Sequence, residues 1–133
     1  LPGDTTASAL QRLPEMLAEH RPRLVLLCLG GNDMLRKQPE SATENNLRLL
    51  VQTIRASGAE VVLIGVPAPK LFGGAPDFYG RVAEDMGLPL EQDIFSDVLK
   101  DNRLKSDPIH ANAAGYRVVA ERLAEFLRDA GAL

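Results

Sequence analysis

The sequence predicts an α/β fold with parallel strands, and three observations carry that prediction. Segments of helical periodicity alternate with short apolar runs in the order helix, strand, helix, strand, helix, short strand, helix. The apolar runs are nearly continuous, the pattern of strands covered by helices on both faces. The chain of 133 residues, 45% hydrophobic and 25% charged, is long enough to bury a core and suits one soluble domain spanning residues 1–133.

The first helix starts near Thr6 and places Leu10, Leu13 and Leu17 on one side. Pro14 is expected to break or restart it, and Arg21-Pro22 to end it. Arg23 to Leu29 reads as a strand buried on both faces. Ser41 and Glu44 have capping-box spacing, followed by the core stripe Leu47, Leu50, Val51 and Ile54 and a stop at Gly58. Glu60 to Val66 is the second buried strand. Pro67-Ala68-Pro69 and Gly73-Gly74 then mark a loop. Pro76 suits the first turn of a third helix carrying Phe78, Val82, Ala83 and Met86 and closed by Gly87. Leu88-Pro89-Leu90 reads as a last short strand, placed at the sheet edge by Pro89. Ile94, Phe95, Val98 and Leu99 suggest a short helix. Asn112 can cap the final helix, with Tyr116, Val119, Leu123, Phe126 and Leu127 toward the core and Gly131 as its end.

Composition excludes several classes of function. A net charge of −3 supplies no electrostatic reason to bind nucleic acid or an anionic membrane. No stretch is apolar for long enough to span a bilayer. A single cysteine, Cys28, allows no intramolecular disulfide and no thiolate cluster. Within the run Leu24 to Leu29 it reads as a small buried hydrophobe rather than a nucleophile.

Ligands of open parallel sheets bind beyond the carboxyl ends of the strands, so the residues that follow each strand are candidates. After the first strand comes Gly30-Gly31-Asn32-Asp33. Asn32 can offer an amide donor above the sheet; alternatively the segment is a polar turn whose Asn and Asp bond their own backbone. Near the C-terminus, Pro108 sets a turn in Asp107-Pro108-Ile109-His110. Asp107 can there orient one ring nitrogen of His110 and leave the other as a general base; a surface turn is the alternative, and a metal pair would lack further ligands. Gly3-Asp4-Thr5-Thr6 precedes a helix, where the Gly3 amide can face an anion, or Asp4 or Thr5 can cap. His20, at a helix end beside Arg21-Pro22, reads as a cap or dipole partner.

These three sites, in this order, resemble the SGNH (GDSL-type) hydrolase superfamily, in particular its small esterase and acyl-thioesterase branch. The family has four blocks: a GDS block with the nucleophilic serine, a glycine, a G-x-N-D and a D-x-x-H. Gly3 matches the second block, Gly30-Gly31-Asn32-Asp33 the third and Asp107-Pro108-Ile109-His110 the fourth. Leu13-Pro14, Asn112 and Gly115-Tyr116 agree as flanking text, and Ala111 stands where relatives often carry proline. No Gly-Asp-Ser occurs; Ser8, Ser41, Ser57, Ser96 and Ser106 lack that setting.

The resemblance implies a three-layer α/β/α, flavodoxin-like parallel sheet with its first strand or strands missing from this chain, which opens at Leu1 without an initiating Met. It implies a serine hydrolase of acyl esters or thioesters, with His110 as base, Asp107 as its orienter, and Gly3 and Asn32 as oxyanion donors. No cofactor or metal is needed. The nucleophile would come from an absent N-terminal segment, which, or a second copy of the chain, would cover the open edge of strand 23–29. The loop from Pro67 to Phe72 is the candidate acyl-binding wall. Two rival readings are a non-catalytic scaffold of the same fold and a flavodoxin-like phosphate-binding module. The second lacks a glycine-rich loop opening directly into a helix.

Overall fold

The computed structural model describes residues 4–68, 74–107 and 110–129, with Asp107 and His110 described at the backbone alone. Helix α1 (Thr6–His20) opens with a reciprocal capping box. The Ser8 amide donates to Thr5 Oγ1 at 3.2 Å, and the Thr5 amide donates to Ser8 Oγ at 2.9 Å. Thr6, Leu13 and Leu17 form its buried stripe. Pro14 does not break α1, contrary to the sequence expectation. It sits on the exposed face, where the carbonyl deprived of its donor can meet water, while Leu13 and Leu17 hold the flanking turns in the core. The helix ends at Arg21, immediately before Pro22.

Strands β1 (Leu24–Leu27), β2 (Glu60–Ile64) and β3 (Leu90–Glu91) form a parallel sheet in the order β1-β2-β3. Leu24 lies opposite Glu60, and Leu63 is flanked by Leu27 and Leu90. β3 takes the edge position that Pro89 indicated. β2 is buried on both faces: Val61 and Leu63 enter the main core, and Val62 and Ile64, on the opposite face, are buried as well.

β1 departs from its expectation. Leu27 is buried, but Leu26 is 40% exposed and Cys28 is exposed rather than a buried hydrophobe. The physical reason is position: β1 is, like β3, an edge strand of the sheet among the described residues, and positions 26 and 28 share a face that is left exposed there.

Five helices and a hairpin complete the described chain: α2 (Gly31–Leu35), α3 (Glu40–Ala56), α4 (Asp77–Met86), α5 (Ile94–Lys100), β4 (Lys105–Asp107), β5 (His110–Ala111) and α6 (Ala113–Asp129). α2, β4 and β5 are additions to the sequence reading. Helices α1, α3 and α4 close one face around Leu13, Leu17, Leu47, Ile54, Phe78 and Val82. Each such side chain, fully buried, contributes about 1.5–3 kcal/mol. Helices α5 and α6 form a second layer with its own cluster of Ile94, Val98, Ala111 and Val119. The architecture is α/β/α.

The Ser41–Glu44 capping box is not made. α3 begins two residues earlier than that box would start it, at Glu40, with Pro39 in the cap position and no side-chain cap bond. Glu44 instead binds Arg48 and, from α4, Arg81, each at 2.8 Å. Those two guanidinium groups hold its carboxyl below the usual range. Gly58 and Gly87 end α3 and α4 with φ of 93° and 65°, as read from the sequence. Tyr116, expected in the core, is 51% exposed. Its neighbour Gly115 takes the inward position, four residues before buried Val119, so Tyr116 is rotated about 100° off the apolar stripe. Gly131 lies outside the described residues.

Candidate active site

Beyond the carboxyl end of β1, the Leu29 carbonyl accepts a hydrogen bond from the Tyr79 hydroxyl at 2.6 Å. Burial pushes that hydroxyl well above the ordinary tyrosine range, so it stays a donor. Gly30 follows at φ 116°, and a Cβ there would collide with the same hydroxyl oxygen. Glycine is required twice over, by backbone conformation and by space. The chain then enters α2 directly, putting Gly31, Asn32 and Asp33 in its first turn.

The polar-turn alternative for this segment is not what the structure holds. Asp33 is 3% exposed and makes long-range bonds instead of bonding its own backbone. One oxygen accepts from the Thr6 amide at 2.8 Å; the other accepts from the Thr6 hydroxyl at 2.6 Å and the Thr43 hydroxyl at 3.2 Å. Asn46 of α3 donates to Thr6 Oγ1 at 3.2 Å. Three helix starts are thereby tied to one carboxyl group. Asn32 Nδ2 donates to the Asp4 carbonyl at 3.1 Å. A carbonyl only accepts, so the nitrogen end of this amide must face it. The second Nδ2 hydrogen of half-buried Asn32 is not needed for that bond. Asn32 thus lies against the residue that follows Gly3; Gly3 itself lies outside the described residues.

Asp107 and His110 belong to a second group. They end β4 and begin β5, and they are register partners of an antiparallel pair. Asn112 fastens this hairpin to α6. Its amide donates to the Leu104 carbonyl at 2.8 Å, its Nδ2 to the Arg103 carbonyl at 2.8 Å, and its Oδ1 accepts from the Gly115 amide at 2.9 Å. The helix cap expected of Asn112 is therefore present. A Cβ on Gly115 would collide with the Leu104 carbonyl, so this glycine lets α6 lie against the chain entering the hairpin. Of the proposed acyl-binding wall, residues 69–72, with Leu71 and Phe72, lie outside the described residues.

Four residues of this framework were not singled out from the sequence: Thr6 as a long-range partner, Thr43, Asn46 and Tyr79. For Tyr79 a signal existed, since Tyr79, Val82, Ala83 and Met86 follow helical core spacing. For the others none did, because a threonine in the first turn of a helix looks like a local cap, and Asn46, in the second turn of α3, looks like a solvated surface residue.

The model of the GDSL-like lipase/acylhydrolase family matches residues 1–118. The chain belongs to this family. Thioesterase 1/protease 1/lysophospholipase L1 of Escherichia coli (strain K12) is 34% identical over 132 aligned residues, covering 95% of this chain and 64% of the relative. The arylesterase of Vibrio mimicus is 34% identical over 131 residues, covering 94% of this chain and 66% of the relative. The chain thus spans slightly under two thirds of these curated relatives. Among solved structures, the psychrotrophic esterase EstA from Pseudoalteromonas sp., inhibited by monoethylphosphonate, superposes with a TM-score of 0.83 at 26% identity. That match covers 96% of this chain and 73% of the other. The three-layer SGNH fold expected from the motifs is the fold of this GDSL-like protein.

Proposed function

We propose that this chain carries the base and oxyanion parts of a serine ester or thioester hydrolase, with the nucleophilic serine supplied by a segment N-terminal to Leu1. The observation that carries the proposal is the Asn32 amide, pinned by one hydrogen against the Asp4 carbonyl at the start of α1. An amide directed by a hydrogen bond to the residue that follows Gly3 in sequence suits an oxyanion hole, where donors must be set before charge develops. The backbone pairing of Asp107 with His110 supports an orienter and base. An external serine is supported by the absence of Gly-Asp-Ser and by the length of the relatives. The exposed face of edge strand β1 agrees with it. Two of the serines have structural work: Ser8 completes the α1 cap, and Ser57 Oγ donates to the Ile54 carbonyl at 2.6 Å.

In this mechanism the serine attacks the acyl carbonyl as His110 takes its proton. Asp107 keeps the imidazole in the right tautomer. The oxyanion is held by the Gly3 amide, the Asn32 amide and the serine's own amide. His110 then protonates the leaving alcohol or thiol, and water, activated by His110, cleaves the acyl-enzyme. The substrate class proposed is a small acyl ester or thioester, in keeping with relatives named for thioesterase, lysophospholipase and arylesterase activity.

The test compares the 133-residue chain with a longer polypeptide that includes the Gly-Asp-Ser block, using p-nitrophenyl butyrate hydrolysis and labelling by a serine-directed phosphonate. The short chain is expected to give neither. The longer one is expected to give both and to lose about 10²–10³-fold in kcat on Asn32→Ala. Labelling of the short chain would sink the external-serine reading. An unlabelled long chain would leave a non-catalytic scaffold.

The cover proposed for β1 is that N-terminal segment or, in the isolated chain, a second copy. In the long polypeptide Cys28 should resist a maleimide that modifies it after denaturation. The short chain should elute as a dimer or larger in size-exclusion chromatography. A long polypeptide as reactive as denatured protein, or a short chain that is a stable monomer, would contradict this.

A further inference from the structure

The oxyanion donor proposed above is a flexible side chain, and something must aim it. Among the described residues its side chain is held by the Asp4 carbonyl. Asp4 precedes α1 by two residues, and the start of α1 is itself held from outside. Thr6, fully buried, donates both its amide and its hydroxyl to Asp33, and Asn46 donates to the same hydroxyl oxygen. Asp33 is the neighbour of Asn32 on α2. The loop of contacts therefore closes on itself: Asp33 to Thr6, along the chain to the Asp4 carbonyl, and from there to Asn32. Two crosslinks between the same pair of short segments, 27 and 28 residues apart in sequence, leave the segment before α1 little freedom to slide or turn against α2. Thr43 supplies a third donor and ties the carboxyl to α3.

We propose that Asp33 is a positioning residue for the reaction: by holding Thr6 it fixes the Asp4 carbonyl, and that carbonyl aims the Asn32 amide. The inference rests on the esterase reading given above. Asp33 touches no reacting atom in this scheme. Loss of the clamp should misplace an oxyanion donor while leaving ground-state binding largely intact, so the cost falls on kcat.

The test uses the longer polypeptide containing the Gly-Asp-Ser block, with p-nitrophenyl butyrate as substrate and thermal melting measured in parallel. Asp33→Ala is expected to lower kcat by about 10²-fold, the loss typical of a small misplacement, with KM within about threefold of wild type. Because a buried carboxyl is removed, that variant can fail to fold; Thr6→Val, which keeps shape and the backbone bond, then decides. It should lower kcat by about tenfold, and Thr6→Ser, which restores the hydroxyl, should return kcat to within about twofold of wild type. Folded Thr6→Val with unchanged kcat, or a loss expressed only in KM, would overturn the assignment while leaving the esterase reading intact. A wild-type polypeptide that neither turns over substrate nor takes the phosphonate would instead remove the esterase reading, and the role of Asp33 with it.

Discussion

His110→Ala, made in the polypeptide that includes the Gly-Asp-Ser block, is expected to lower kcat by about 10⁴–10⁶-fold, the scale on which serine hydrolases depend on their base. The expectation follows from the chemistry assigned to one ring. A serine hydroxyl is a weak nucleophile at neutral pH unless a neighbouring base removes its proton. The same ring must then protonate the leaving group, so one substitution disables both halves of acylation. Asn32→Ala removes only one of three oxyanion donors and should cost far less, about 10²–10³-fold. That ordering discriminates a catalytic base from a structural histidine. Steady-state hydrolysis of p-nitrophenyl butyrate, with a melt to confirm folding, measures it. A His110→Ala protein that is folded and within tenfold of wild type would refute the assignment of the base.

The second large effect is on folding. Gly30→Ala should destabilise the protein by about 3–6 kcal/mol, a large share of the 5–15 kcal/mol that holds a typical domain. Its contributions are separable. A side chain at φ 116° costs about 1–2 kcal/mol through contact with the carbonyl that follows. The new methyl must also displace the Tyr79 hydroxyl, buried beneath the loop. Overpacking at such a site costs about 1–3 kcal/mol. If the hydroxyl moves, the Leu29 carbonyl loses its donor as well, for roughly another 1 kcal/mol. Thermal melting is expected to show a midpoint lower by more than about 10 °C. Gly30→Ala combined with Tyr79→Phe should recover part of that loss, because the colliding oxygen is gone. A single variant that melts within 2 °C of wild type would mean the loop relaxes at no cost, and the two-fold argument for glycine would fall.

What could be read in the chain without coordinates is what depends on local spacing. The core stripes of α1, α3 and α4 follow from helical periodicity, since a residue's face is set by its own helix. Stops at Gly58 and Gly87 follow from a backbone conformation that favours glycine. The candidate site was legible for the same reason: Gly30 to Asp33 and Asp107 to His110 are short contiguous blocks, and their order along the chain identifies the family. Errors fell where a local signal competes with something distant. Pro14 reads as a breaker in one dimension, but its solvent-facing position lets water satisfy the freed carbonyl. Ser41 and Glu44 have cap spacing, yet Glu44 is taken by Arg81 from another helix.

The sequence by itself determined the α/β class, the parallel sheet and the identity of the candidate site blocks, because periodicity and motif order are properties of neighbours along the chain. Only the tertiary structure decided that β1 has an exposed face, that Gly30 must make way for Tyr79, and that Asp33 clamps Thr6 across 27 residues. Those facts depend on which surfaces meet after the chain is packed, and no spacing within one segment records its partner in another.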